Sequence, residues 1–322
     1  MSAKSRCGQQ LSQRQISQMI TAIERGGPRA AEIMNSIGKD TGHAYTIGIT
    51  GPPGAGKSTL VSQLTNLLRN NGLTVGVIAV DPSSPFTGGA LLGDRIRMQK
   101  HYLDEGVFIR SIATRGEPGG IPRIVKSVVR FLDAVGTDVI IVETVGVGQT
   151  ELGIMNAADS VVVTLVPESG DTVQTLKAGI MEIADVYVVN KSDLKGADKM
   201  AADITSMLSL SSTVDYRKPA VVMTQADAGR GIEELWQTLE DHQSHLSESG
   251  LLETRRSDRR RLEFLEIIVE ELKNRLDKHI LHSRNLNIII DSVSNGESEP
   301  YSEAMSVLEG VFVNLDIPDS RK

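Results

Sequence analysis

Residues 45–59 read Tyr45-Thr46-Ile47-Gly48-Ile49-Thr50-Gly51-Pro52-Pro53-Gly54-Ala55-Gly56-Lys57-Ser58-Thr59. An apolar, β-branched run gives way to a glycine-rich turn, and the turn to Leu60, Val61, Leu64, Leu67 and Leu68 at helical spacing. Strand, glycine turn and helix in that order are the setting of a phosphate-binding loop. The glycines let successive backbone N–H groups face inward, and the helix N-terminus adds a field that favours anions. Lys57 then reaches toward β- and γ-phosphates, and the Ser58 hydroxyl is placed to ligate magnesium. All nine residues from Gly51 to Thr59 are candidates for contact with the phosphates.

A second motif, Asn190-Lys191-Ser192-Asp193, follows another apolar run, residues 185–189. A carboxylate at Asp193 accepts two N–H donors from guanine, whereas adenine presents the wrong donor pattern. A polar turn after a strand is common on its own, but downstream of a phosphate loop it reads as a base contact. Asn190, Lys191 and Asp193 are the base-reading candidates, and the two motifs together point to GTP.

Outward from these motifs, apolar runs alternate with amphipathic stretches. Strands are expected at Thr46–Thr50, Val75–Val80, Val107–Ile112, Val139–Glu143, Val161–Val166, Val186–Asn190 and Val221–Thr224. Their nearly continuous apolar character fits strands buried on both faces, and the helices between them give right-handed βαβ units. The expected fold is α/β, with a mostly parallel sheet whose carboxyl edge carries the active groups. Residues 1–43 read as a helical N-terminal extension interrupted at Gly26-Gly27-Pro28, residues 44–245 as the nucleotide-binding domain, and 246–322 as a helical arm. In the arm, Leu262, Leu265, Ile268, Val269, Leu272, Leu276 and Ile280 form a stripe that needs a partner, and a dimer is the favoured one. The Arg255-Arg256 and Arg259-Arg260-Arg261 clusters are expected to be a solvated helix face.

Composition narrows the function further. The 322 residues hold 34 Lys and Arg against 41 Asp and Glu, a net charge of −7, which argues against nonspecific nucleic-acid binding. Cys7 is the only cysteine, so neither a disulfide framework nor a cysteine metal cluster is available. No apolar run approaches the length of a membrane span, and the N-terminus lacks a secretory core. Ile16, Met19, Ile20 and Ile23 share one helical face, which favours a helix over a transit segment there. A cytoplasmic setting is expected.

Three acids between the motifs bear on metal. Asp81 ends a strand, a good position for a carboxylate facing magnesium or its waters. Asp94 closes the glycine-bearing stretch Thr87-Gly88-Gly89-Ala90-Leu91-Leu92-Gly93-Asp94, which has the character of a switch loop. Glu143 ends the run before Thr144-Val145-Gly146, a second switch layout in which a glutamate contacts the metal through water. Beyond it Gln149 is a candidate to orient the attacking water. No residue stands out as an arginine finger; Arg95, Arg97, Arg115 and Arg123 are candidates, and slow turnover stimulated by a partner is expected.

The segments Asp81-Pro82-Ser83-Ser84-Pro85, Gly93-Asp94-Arg95-Ile96-Arg97-Met98, Glu143-Thr144-Val145-Gly146-Val147-Gly148-Gln149 and Gly179-Ile180-Met181-Glu182-Ile183-Ala184-Asp185 resemble the MeaB family. These are ArgK-like GTPases that chaperone cobalamin-dependent acyl-CoA mutases, and the resemblance runs from about residue 11 onward. It implies a homodimer in which GTP binding and hydrolysis gate adenosylcobalamin delivery to a mutase and removal of damaged cofactor, with no cobalamin site of the chain's own. It places magnesium near Ser58, Asp81, Asp94 and Glu143, and a further switch at residues 167–177. The family's second base loop usually carries Ser-Ala. Here Thr224-Gln225-Ala226-Asp227 stands in that place, with the Ala226 N–H expected to meet the guanine carbonyl. The competing enzyme reading is a phosphate-loop kinase acting on a small metabolite, for which no acceptor pocket is visible. A nickel-insertion GTPase would need a histidine tract or paired cysteines that the scattered six histidines and single cysteine do not supply.

Overall fold

A computed structural model of the chain describes residues 11–38, 41–81, 99–114, 121–144, 153–167, 181–210, 218–282 and 284–312. Seven strands appear among them: β1 (Tyr45–Thr50), β2 (Val75–Asp81), β3 (Val107–Ala113), β4 (Val139–Thr144), β5 (Ser160–Leu165), β6 (Val186–Val189) and β7 (Ala220–Met223). They form one sheet in the order β3-β2-β4-β1-β5-β6-β7 with every pairing parallel. Each expected strand is present, with no end displaced by more than one residue. All residues of β1, β2, β4, β5 and β6 are buried, which is what unbroken apolar runs covered on both faces require.

The helices divide between the two faces. On one face α3 (Lys57–Asn70) and α6 (Ile232–Glu248) cover Ile47, Ile49, Ile141, Val162 and Val188 with Leu60, Leu64, Leu235 and Leu239. The other face is covered by α4 (Arg123–Ala134), α5 (Ala197–Leu210) and two N-terminal helices, α1 (Gln13–Arg25) and α2 (Gly27–Ile37). Ser12 and Gln15 close a capping box on α1, and Gly26 at φ 71° separates α1 from α2. Ile20, Ile23, Ile33 and Ile37 bury their side chains in the same core as Phe131 and Val142, and an Arg110–Glu24 ion pair of 2.7 Å ties α1 to β3.

At the amino ends of the strands the chain is held by a polar network. The Tyr45 hydroxyl donates to Ser160 Oγ at 2.6 Å, and Ser160 Oγ lies 2.6 Å from His242 Nδ1 on α6. His242 Nε2 sits 3.3 Å from Asp185, just before β6. The next helix, α7 (Leu251–His282), is clamped beside it. Arg256 Nη2 donates to Asp159 Oδ2 at 2.6 Å and to Ala44 O at 2.7 Å, Arg259 joins the same carboxylate, and Arg255 reaches Asp185. The expectation of a solvated arginine face therefore fails for these residues. Only Arg260 and Arg261 face solvent, because Asp159 is an uncompensated charge at the sheet edge unless α7 supplies guanidinium groups. Only two residues join α6, which runs to Glu248, to α7, which starts at Leu251.

The chain divides into two compact units, one through Glu263 and one from Phe264 onward. The second holds the rest of α7, α8 (Arg284–Ser294) and α9 (Pro300–Phe312). On it Phe264, Leu265, Val269, Ile288 and Tyr301 are exposed. No helix among the described residues is long and apolar enough to cross a membrane.

Burial works to raise the pKa of Asp159, but Arg256 and Arg259 outweigh it and hold the carboxyl below its ordinary value. A depressed folded-state pKa contributes stability that is present above the unfolded value, about 3.9, and lost as pH falls through the folded one. Asp159→Asn is expected to cost about 3 to 5 kcal/mol at neutral pH, the range for breaking a buried ion pair from one side. Denaturant melts from pH 7 to pH 3 check this: the variant should also lose less stability than wild type below about pH 4.

Candidate nucleotide site

The carboxyl ends of β1, β2, β4, β6 and β7 lie along one edge of the sheet, and the described phosphate, metal and base candidates follow them there. Thr50 leads from β1 into the turn 51–56, and α3 begins at Lys57 with Gly56 in the left-handed region at φ 84°. No side chain among the described residues caps α3, so its first amides are presented to the turn's concave side. Gly51, at φ 138°, lies so close to β5 that a Cβ there falls 2.1 Å from the Thr164 carbonyl oxygen. A Cβ on Gly56 falls 2.4 Å from Asn190 Nδ2. At both positions glycine is demanded by backbone angle and by space.

Lys57 is buried, and its ammonium donates to Gly51 O at 2.8 Å and Pro52 O at 2.9 Å, arching back over the turn. Ser58 Oγ donates to Glu143 Oε1 at 2.7 Å, joining the start of α3 to the end of β4. Asp81 ends β2 on the far side of β4, with 1% of its surface exposed. Below them Thr50 Oγ1 and Thr144 Oγ1 lie 2.8 Å apart, a fully buried tie that holds β1 and β4 together where the turn begins.

A hydroxyl and two buried carboxylates form a hard-oxygen donor set, which suits magnesium better than a soft or imidazole-preferring metal. Among the described residues no three His, Cys, Asp or Glu side chains gather into a metal cage. Magnesium is commonly held by one or two carboxylates together with phosphate and water. Ser58, Glu143 and Asp81 are the described residues that can hold it. Asp94 and Gln149 lie outside the described residues, as do Arg95, Arg97 and Arg115, both switch stretches beyond Asp81 and Thr144, and residues 168–177. Arg123 opens α4.

The base motif differs in detail from its sequence reading. Asn190 is 2% exposed; its Nδ2 donates to Ala55 O in the phosphate turn at 2.8 Å. Its Oδ1 accepts from Thr224 Oγ1 at 3.0 Å and from the Ala226 N–H at 3.1 Å. Asn190 is thus a brace among three loops, and the Ala226 amide assigned to the guanine carbonyl is bonded to Asn190 instead. The reason is chemical: a buried primary amide needs partners for both its oxygen and its nitrogen, and these loops supply them. Gln225 pairs through its backbone with Arg230, and Asp227 Oδ1 accepts from the Ala228 N–H at 2.9 Å, so both shape the turn. Thr224 was missed as a site residue, although a hydroxyl residue directly after an apolar strand was the available signal.

Lys191 adopts φ 55°, the only positive φ outside glycine among the described residues. Its carbonyl accepts from Leu194 N at 2.9 Å while Ser192 N donates to Thr224 O at 3.0 Å. This strained corner leaves the Asp193 carboxylate exposed beside the brace, without a hydrogen bond among the described residues.

The family model described as methylmalonyl Co-A mutase-associated GTPase MeaB matches residues 16–280. A protein of Pyrococcus horikoshii named as a GTPase is 47% identical over 301 residues, 92% of this chain and 94% of its own length. GTPase ArgK of Escherichia coli is 37% identical, with 74% of each chain covered. The mitochondrial methylmalonic aciduria type A homolog of Mus musculus is 33% identical over 89% of this chain and 69% of its own. A crystal structure of an LAO/AO transport system kinase superposes with a TM-score of 0.66 at 27% identity, covering 93% of both chains.

Asn190→Ala is expected to strand the Ala55 carbonyl and the Ala226 amide, at roughly 1 to 3 kcal/mol for each buried group left unpaired. Melting temperature and GTP affinity should fall together. Thr224→Val, which removes one bond to Asn190, should cost about 1 kcal/mol. Equal effects of the two substitutions would contradict the brace.

Proposed function

The chain belongs to the MeaB family of GTPases, and from that premise we propose that its GTP cycle gates adenosylcobalamin loading of a cobalamin-dependent acyl-CoA mutase and protects or reactivates that enzyme. The observation that carries the nucleotide reading is the 2.8 Å bond from Asn190 to Ala55, which binds the base motif to the phosphate loop. In this reading Asp193 meets the base and Lys57 the phosphates of one nucleotide. The client rests on the family description and on the name of the mouse relative. Residues 44–245 carry the nucleotide cycle, 1–43 extend it, and 246–322 form the dimerisation arm.

In this reading the amides of residues 54–59 cradle the β-phosphate, and Lys57 turns from the Gly51 and Pro52 carbonyls to the β- and γ-oxygens. Ser58, Asp81 and Glu143 hold magnesium, which when bound neutralises charge on the phosphates. Asp94 joins that shell and Gln149 orients the attacking water. Asp193 accepts the N1–H and exocyclic amine of guanine, and Lys191 lines the ring. Transfer of this kind depends on alignment and charge rather than on covalent chemistry, so hydrolysis is slow until the client completes the site. The chain brings no cobalamin site of its own.

The exposed apolar side chains of α7 to α9 are the surface through which two copies pair in the cytoplasm. A kinase acting on a metabolite is separated from this reading by its product, since hydrolysis releases only inorganic phosphate and GDP.

Two outcomes are expected. Asp193→Asn replaces an acceptor by a side chain that also donates. GTP affinity should drop by roughly ten- to a hundredfold, from loss of charge-assisted hydrogen bonds, while xanthosine triphosphate, with an oxygen at position 2, gains. Calorimetry with both nucleotides checks this, and unchanged GTP affinity contradicts the base assignment. Candidate acyl-CoA mutases should co-purify with the chain in a manner that depends on a non-hydrolysable GTP analogue. Lys57→Ala should abolish that dependence; a nucleotide-independent complex contradicts the gating role.

A further inference from the structure

A cavity of about 100 Å³ lies at the amino ends of the strands, between residues 41–46, α4, residues 156–159 and the start of α7. The six-residue β1 separates it from the phosphate loop by roughly 15 to 20 Å at the usual rise per residue. Five cationic side chains line it (Lys126, Arg130, Arg256, Arg259 and Arg260) against three carboxylates, Asp133, Asp159 and Glu263. This is a local excess of positive charge in a chain whose net charge is −7.

The carboxylates are already engaged. Asp159 takes Arg256, Arg259 and the Thr46 N–H. Asp133 accepts the amides of Gly42, His43 and Ala44. Glu263 Oε1 accepts from Arg130 Nη2 at 2.9 Å and from Ser127 Oγ at 3.4 Å. The cations at the rim are less complete. Arg130 Nε is buried without a hydrogen-bond partner among the described residues, a costly state for a charged donor. Arg260 is half-exposed, and its ion pair among the described residues is with the still more exposed Glu253.

The part-exposed guanidinium of Arg130, the guanidinium of Arg260 at the rim and Lys126 one helical turn before Arg130 form a fork suited to tetrahedral oxyanions. We propose that this cavity is a second anion site that takes a phosphate group, separate from the nucleotide's. Occupancy links α4 to the first turns of α7 through Arg130 and Arg260, and so firms the clamp that begins at Asp159.

The test loads the full chain with magnesium and a non-hydrolysable GTP analogue, so that the phosphate loop is filled, and titrates inorganic phosphate by calorimetry at low ionic strength. Malonate serves as the carboxylate comparator. One site is expected, with a Kd on the order of millimolar, as for a small ion held by a few charged donors. Arg130→Lys keeps a cation for Glu263 but removes the planar fork, and Arg260→Gln alters an exposed side chain. Each should weaken phosphate roughly tenfold or more, the loss for a charge-assisted bond, without changing the fold seen by circular dichroism. Lys57→Ala, titrated without nucleotide, should keep the site, so a failure of the nucleotide reading leaves this one standing. No saturable heat in the loaded wild type, unchanged affinity in both arginine variants, or equal binding of malonate would each overturn the proposal.

Discussion

The site depends on how closely the backbone of one turn lies against its neighbours. Between Thr50 and Lys57 the chain passes within contact of β5 at Gly51 and of the Asn190 side chain at Gly56, with no room for a methyl group at either place. That clearance lets Asn190 reach the Ala55 carbonyl, and through Thr224 and Ala226 it fixes the turn after β7 as well. Phosphate loop, base motif and the second base loop are thus one mechanical unit. A shift of any one of them moves the others.

The sheet was legible because strands buried on both faces have to be apolar along their whole length, and no other element in an α/β chain combines that run with β-branched residues. The glycine turn was legible for a related reason, since its angles admit few alternatives. Side-chain direction was not. Nothing in Asn190-Lys191-Ser192-Asp193 distinguishes a residue that contacts a ligand from one that braces loops, because both need an amide at the end of a strand. The deciding partners, Ala55 and Ala226, are far away in sequence.

The arginines of α7 make the same point. By composition they form a charged helical face, and charged faces are usually solvated. Asp159 reverses this, since a carboxylate with 2% of its side chain exposed at the start of a strand has to be neutralised, and Arg256 and Arg259, about a hundred residues away, do so. The apolar stripe further along α7 was legible as a face in need of a partner. The identity of that partner lies in the chemistry of a surface rather than in the pattern of the helix.

The strands thus work at both ends: β1, β4 and β6 end at the proposed phosphate, metal and base contacts, while β1, β5 and β6 begin at the residues that hold α6 and α7. The most direct test of the account is competition calorimetry of GTP against ATP on the magnesium-bound chain. On the proposal that Asp193 receives guanine's two donors and finds no match on adenine, GTP should bind at least about a hundredfold more tightly, the discrimination of two lost charge-assisted bonds. ATP binding as tightly as GTP would contradict it.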